Sequence, residues 1–503
     1  MTSERTTAPG RTTTTGGRRR GISGRRIGLV LGPVLFLVVE LGPELGSMGG
    51  DAQHVLAATL WIATWWVTEA IPLAATALLP VILLPLLGVT SYDDVVTRYA
   101  DDIILLFLGG FVIAAALEKV NLHRRIALSI INVLGTNPSR LVLGFILSTT
   151  FVSLWISNTA TAMMMVPIAM SILSQFTFDA VDDRKRRNLE RALLFATAYG
   201  ATAGGMGTLI SGTPNPIFAA QSREMFDTEI GFGQFMLFGT PVAFLFALII
   251  WLFLTRVAFR LDRREIPGAK EVVRRELAGL GPMARDERLV LAVITCVALL
   301  WITRSFFLVE LLPEISDGMI SIAGLVALFL LPAARDDDES RAATRSRILT
   351  WQDTRKVPWD VLILFGGGLA IASGFEVSGL SEWVGEQLGV LEGVPTAVVV
   401  FAGASLVLLL TEITSNTATA TLIVPVFGVV GNSIGIDPVT LMMAAALGAN
   451  FAFMLPVATP PNAIIYGTGK ITIGEMVRVG FALNLVSAVV VTVVLLTWFP
   501  VVF

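Results

Sequence analysis

The chain has almost none of the residues that build metal centres or disulfides. A single cysteine, Cys296, excludes an intrachain disulfide, and two histidines, His54 and His123, leave little scope for a zinc or haem site. Charge is also scarce: 15% of residues are charged, against about 25% in soluble domains. The formal net charge of −3 decides nothing, because the charges are confined to loops. No nucleophile–base pair or metal cluster offers itself, so an enzyme is not expected, and neither is a nucleic-acid partner.

Apolar sequence fills the space instead. Of the residues, 54% are hydrophobic and the mean hydropathy is +0.75. Apolar runs of roughly 20 residues recur along the whole length, the pattern of transmembrane helices. The fold expected is an all-α polytopic membrane protein. Residues 1–26 are Thr/Gly/Arg-rich without an apolar stretch and read as a disordered cytoplasmic tail rather than a signal peptide. Eleven spans are expected, near 27–47, 53–68, 70–89, from Asp102, 190–218, 234–258, 288–308, 318–333, 360–380, 438–468 and 476–500.

Two further apolar stretches, 139–175 and 395–430, are too long for one span. Each carries Ser-Asn-Thr at its centre, in "WISNTATAMMMVP" and "EITSNTATATLIVP". Read as re-entrant hairpins of two half-length helices, they leave the basic segments on one side: the tail, "KVNLHRR", "DDRKRRNLER", 256–288, 334–356 and Lys470. The alternate loops 48–53, 381–394 and 429–438 hold no Lys or Arg. This places the N-terminus inside and the C-terminus outside. Five spans separate the hairpins, so they enter from opposite sides, as an inverted-topology repeat does. "DIILLFLGGFVIAAALEKVNL" from Asp102 aligns without gaps to "DVLILFGGGLAIASGFEVSGL" from Asp360, and the same offset of 258 carries Asn158 onto Asn416.

Ser and Asn bond to nearby backbone and favour caps over helix interiors. Each triplet therefore ends one half-helix and starts the next, exposing N–H groups and a positive dipole end that suit an anion. The carbonyls and side-chain oxygens freed at the same break suit Na⁺, a hard cation. "GTLISGTPNPI" and "MLPVATPPNAI" add a second, proline-marked break to each half. None of the four breaks contains Lys, Arg or His, so a bound anion would be offset by helix ends and co-bound cations. Glu69, Glu118, Glu376 and Glu412 are the intramembrane acids. A proton site at one of them is the mechanistic alternative these residues leave open.

On "WWVTEAIPLAATALLP", "SNTATAMMMVP", "SNTATATLIVPV" and "FMLPVATPPNAI" the chain resembles the divalent anion:sodium symporter family, from about residue 27 to its end. The resemblance implies a homodimer in the inner (plasma) membrane, with scaffold helices at 27–101 and 288–359 and a cytoplasmic connection at 260–287. It implies inverted repeats at 102–259 and 360–503 whose transport parts move as an elevator. Carried over by motif, one sodium site uses Ser153, Ser157, Asn158 and Gly212, and the other Thr411, Ser415, Asn416 and Ala458. Substrate contacts fall on Ser157, Asn158, Thr159, Thr213 and Pro214, and on Ser415, Asn416, Thr417, Thr459 and Pro460. Asn215 stands where the family often has a second proline. Two Ser-Asn-Thr triplets resemble the carboxylate carriers, so sodium-coupled uptake of a C4-dicarboxylate is expected. Sulfate or citrate symport, sodium-independent exchange and oxyanion efflux are the alternatives.

Overall fold

The computed structural model describes residues 24–43, 46–135, 137–174, 183–261, 269–333, 347–388 and 393–503. The expected tail at 1–26 falls almost wholly outside the described residues, as do 262–268 of the connection and 334–346 of the later basic segment. Regular structure among the described residues is helical, apart from one isolated bridge between Pro332 and Arg347. Among the described residues, five helices are long and apolar enough to cross a membrane: Tyr92–Lys119, Phe232–Ala258, Arg285–Leu311, Trp359–Val377 and Ile473–Val502.

Two runs of helices follow the same order. Asp102–Lys119, Leu122–Leu134, Pro138–Ser153, Asn158–Ser174, Asp183–Gly204, Pro214–Phe226 and Phe232–Leu252 make the first. Trp359–Val377, Leu380–Leu388, Thr396–Thr411, Asn416–Ser433, Pro438–Asn450, Pro460–Gly467 and Ile473–Thr497 make the second. The correspondence reaches the backbone. Asn121 (φ 59) and Gly379 (φ 75) share the offset of 258, and each left-handed residue turns the chain into the short second helix of its run. Average hydropathy marks neither of these second helices as a span. Leu122–Leu134 buries Leu122, Ala127, Leu128 and Ile131 while Arg124 and Arg125 reach ion partners, so its apolar face is too narrow to look like a span.

The four helices flanking the two triplets are 16 and 17 residues, then 16 and 18 residues long. At 1.5 Å per residue each is ~25 Å, longer than the half-span expected from sequence. Few residues are spent on the turn: Leu154–Ser157 in the first and Glu412–Ser415 in the second. The first arm starts on Pro138, with Asn137 accepting from the Arg140 N–H at 2.8 Å.

Lipid supplies no hydrophobic drive between helices, so close approach at small residues holds them. Gly200 and Gly204 lay Asp183–Gly204 against the backbone of Ile146 and Thr150 on the first hairpin arm. Gly109 meets Ser321 where Asp102–Lys119 crosses Asp317–Leu330. A second, smaller core joins Val55, Ile62 and Trp66 to Leu364, Ile371 and Phe375, seating Gly50–Thr68 on Trp359–Val377.

Among the described residues, nine ion pairs between separate segments fall into two groups. One joins Lys119 to Asp353 (2.8 Å), Arg124 to Glu276 (2.7 Å), Arg125 to Glu287 (2.8 Å), Arg191 to Glu475 (2.7 Å) and Lys470 to Glu190 (3.0 Å). The other joins Arg98 to Glu224, Arg223 to Asp101, and Arg304 to both Glu229 (2.7 Å) and Asp317 (3.4 Å). The first group gathers the basic segments that charge parity assigns to one side.

A β-carbon at Gly204 would press on Thr150 and on Ser153, which are backbone and buried side chain with no room to give. Gly204→Val should cost about 2–3 kcal/mol of stability, read as a lower unfolding temperature in detergent; an unchanged temperature would show that this contact is loose.

Candidate substrate and cation site

One cavity of about 730 Å³ lies where the breaks meet. Its lining includes the first tip (Ser157, Asn158, Thr159) and the second (Ser415, Asn416, Thr417). Both proline-marked breaks, Gly212–Pro214 and Ala458–Pro461, line it as well. Every residue expected to touch the substrate is therefore on one surface. Four helices begin there, at Asn158, Pro214, Asn416 and Pro460. Each presents its positive dipole end, and Asn158 and Asn416 also open first turns with free N–H groups. The rest of its lining includes Trp66–Glu69, Phe107, Phe111, Ala114, Ala115, Glu118, Lys356, Pro358, Asp360 and Val361.

Ser153 and Thr411 are absent from that surface. Both are fully buried behind the asparagines. Ser153 Oγ lies 2.7 Å from Asn158 Oδ1 and 3.0 Å from the Ala201 carbonyl. Thr411 Oγ1 lies 2.6 Å from Asn416 Oδ1 and 3.2 Å from the Ala449 carbonyl. In each half three oxygens meet around one hydroxyl proton, which can serve only one of the two acceptors. A hard cation satisfies such a cluster; the alternative is to turn the amide over so that it donates to the hydroxyl. The residues present thus fit sodium in both halves. Ser157 Oγ also caps its own helix, accepting from the Ala160 N–H at 3.2 Å, whereas Ser415 makes no capping bond.

The breaks are held open by two asparagine side chains. Asn215 Nδ2 donates to the Gly205 and Thr208 carbonyls at 2.9 and 2.7 Å. Asn462 Nδ2 donates to the Ala452 and Leu455 carbonyls at 3.0 and 3.1 Å. Donor and both acceptors map across the halves at one offset of 247. At this offset Pro214 pairs with Pro461 and Thr213 stands opposite Pro460, so the clamp keeps its register although the first motif has one proline fewer before its asparagine. Asn450 Nδ2 bonds Asn215 Oδ1 at 2.8 Å, and Thr213 Oγ1 meets Thr417 Oγ1 at 2.7 Å, so each half touches the other inside the site. The signal available in sequence was the asparagine shared by both proline motifs.

The four acids separate. Glu118 lines the cavity together with Lys356, a cation outside the four breaks, and Glu376 is exposed away from it. Glu69, left-handed at φ 47, pairs with Arg25 at 3.0 Å and also lines the cavity. Glu412 is 3% exposed. Its Oε1 accepts from the N–H groups of Phe453 (2.8 Å) and Met454 (2.9 Å) and from Asn484 Nδ2 (2.7 Å). Its Oε2 accepts from Met454 and Leu455, both at 3.1 Å. All these contacts are donated to the carboxylate.

Interrupted helices meeting at a shared polar cavity are the architecture of a secondary transporter. The family model for the sodium:sulfate symporter transmembrane region matches residues 25–503, and the chain belongs to that family. It is 45% identical over 476 residues to the sodium-dependent dicarboxylate transporter SdcS of Staphylococcus saprophyticus, covering 94% of this chain and 91% of that protein. It is 44% identical over 485 residues to SdcS of Staphylococcus aureus, covering 95% and 92%. The fold is similar to the crystal structure of the Alcanivorax borkumensis YdaH transporter, with a TM-score of 0.53 at 15% identity, over 81% of this chain and 87% of that one. These relatives are transporters, not enzymes.

Asn215→Ala frees two buried carbonyls and removes the partner of Asn450. Each lost bond costs about 1–3 kcal/mol when the orphan stays buried. A several-degree drop in unfolding temperature is expected, together with transport below a tenth of the parent. Near-parent values for both would remove the clamp from the account.

Proposed function

We propose that this protein carries a C4-dicarboxylate such as succinate, malate or fumarate into the cell with sodium ions. The observation that carries this reading is the convergence of four helix starts and two oxygen clusters on one cavity. A dianion's two carboxylates match the two tips, each a dipole-positive helix start with free donors. No fixed cation stands within the breaks, so two sodium ions, behind Asn158 and Asn416, supply the charge that makes the dianion's binding favourable. Asn158 and Asn416 face the cavity on one side and the buried hydroxyl on the other, which lets each couple ion to substrate. The dicarboxylate-transporting relatives support the substrate class, and the family supports the ion.

The transporting unit is a homodimer in the inner membrane, with eleven spans, two re-entrant hairpins in inverted repeats, an inside N-terminus and an outside C-terminus. The two separate groups of ion pairs support this topology, because each joins only segments that the hairpin arrangement leaves on one side. Transport runs as an elevator. The cavity is lined both by the tips and breaks and by residues of the segments read as scaffold, 66–69, Lys356 and Pro358, which supports a moving and a fixed part.

Proteoliposomes loaded without sodium provide the test. Succinate uptake should depend on an inward sodium gradient and be competed by malate and fumarate more than by sulfate or citrate; uptake indifferent to sodium would overturn the reading. Asn158→Ala and Asn416→Ala should each raise the half-activating sodium concentration about ten-fold, which corresponds to about one charge-assisted bond. A parent-like sodium curve in both variants would make the tips structural only.

A further inference from the structure

The two halves differ by one buried charge. At the offset of 258 that superposes the tips, Glu412 falls on Leu154. Both halves must satisfy the N–H groups of the unwound segment, and they do so differently. In the first half, Met206 and Gly207 donate to the Ala203 and Gly204 carbonyls at 3.4 and 3.0 Å, and Thr208 donates to Ser211 Oγ at 3.1 Å. In the second half, the equivalent Phe453, Met454 and Leu455 all donate to the Glu412 carboxylate. The residues before its proline motif, Val457 and Ala458, offer no hydroxyl to replace Ser211.

Neutral groups are thus sufficient to close such a loop, as the first half demonstrates. A carboxylate adds something further: a full negative charge in a buried setting, where screening is weak. Glu412 follows Thr411 in the chain and lies four residues before Asn416. Through Phe453–Leu455 it also ties the tip to the segment leading to Ala458. It therefore joins the two pieces of chain that make the second cation site. A negative charge there attracts a cation and repels a dianion.

We infer that Glu412 is a positioning residue that gives the second cation site the higher sodium affinity. The first site, with Leu154 in the equivalent place, fills at higher sodium. This rests on the two-site reading above. It also separates the roles of the halves, which the matched triplets alone leave identical.

Sodium activation of succinate uptake by the full chain in proteoliposomes tests it. Glu412→Gln should raise the half-activating sodium concentration on the order of ten-fold. Its loss of apparent succinate affinity at low sodium should be recovered at saturating sodium. A sodium curve within two-fold of the parent, or a fall in maximal rate that sodium does not restore, overturns the inference in favour of a loop staple alone. Should Glu412→Gln fail to fold, Ser153→Ala and Thr411→Ala, which leave Glu412 in place, decide the matter. Thr411→Ala should displace the low-concentration part of the curve and Ser153→Ala only the upper part. Equal displacement overturns the asymmetry, whereas no displacement in either variant overturns the two-site reading itself.

Discussion

Backbone polar groups inside a membrane must find partners, and the rest of this structure follows from how four helix breaks meet that demand. An intact helix satisfies itself. A broken one exposes donors at the start of the next helix and acceptors at the end of the last, at a depth where water is scarce. Here the exposed groups divide into those the protein satisfies and those it leaves facing the cavity. Asn215 and Asn462 clamp the loose carbonyls, and Glu412 or Ser211 takes the loose N–H groups. What remains is the helix starts at the two tips, which face the cavity, and the oxygen clusters at Ser153 and Thr411, buried behind the asparagines. The site is made of groups that the fold does not satisfy internally.

That division explains how chemistry of opposite sign fits in one place. Helix starts are partly positive and oxygen clusters partly negative, and Asn158 and Asn416 stand between them. Binding an anion alone leaves the oxygens unpaired; binding a cation alone leaves the donors unpaired. In the proposed mechanism the two are coupled because Asn158 and Asn416 are shared by both sets of groups and a bound cation brings positive charge beside the helix starts.

Much of this was legible in the sequence because it repeats. The triplets, the proline motifs and the gapless match from Asp102 to Asp360 each recur, and charge parity assigns their sides. The cavity residues named from those motifs do share one surface. Other features were hidden for a common reason: their partners are far apart in the chain. The carboxylate of Glu412 meets N–H groups about forty residues on, Thr213 meets Thr417 across the two halves, and Lys356 comes to the cavity from a segment that reads only as a basic loop. The short helices at Leu122–Leu134 and Leu380–Leu388 were missed because they are amphipathic and short, and neither property raises the average hydropathy of a window.

The central claim is that substrate and ion satisfy one set of broken-helix groups together. Equilibrium binding of succinate to purified protein, titrated with sodium at constant ionic strength set by choline, measures this without transport. The account predicts negligible succinate binding in choline and a steep rise with sodium. Succinate binding of equal strength with and without sodium would contradict it.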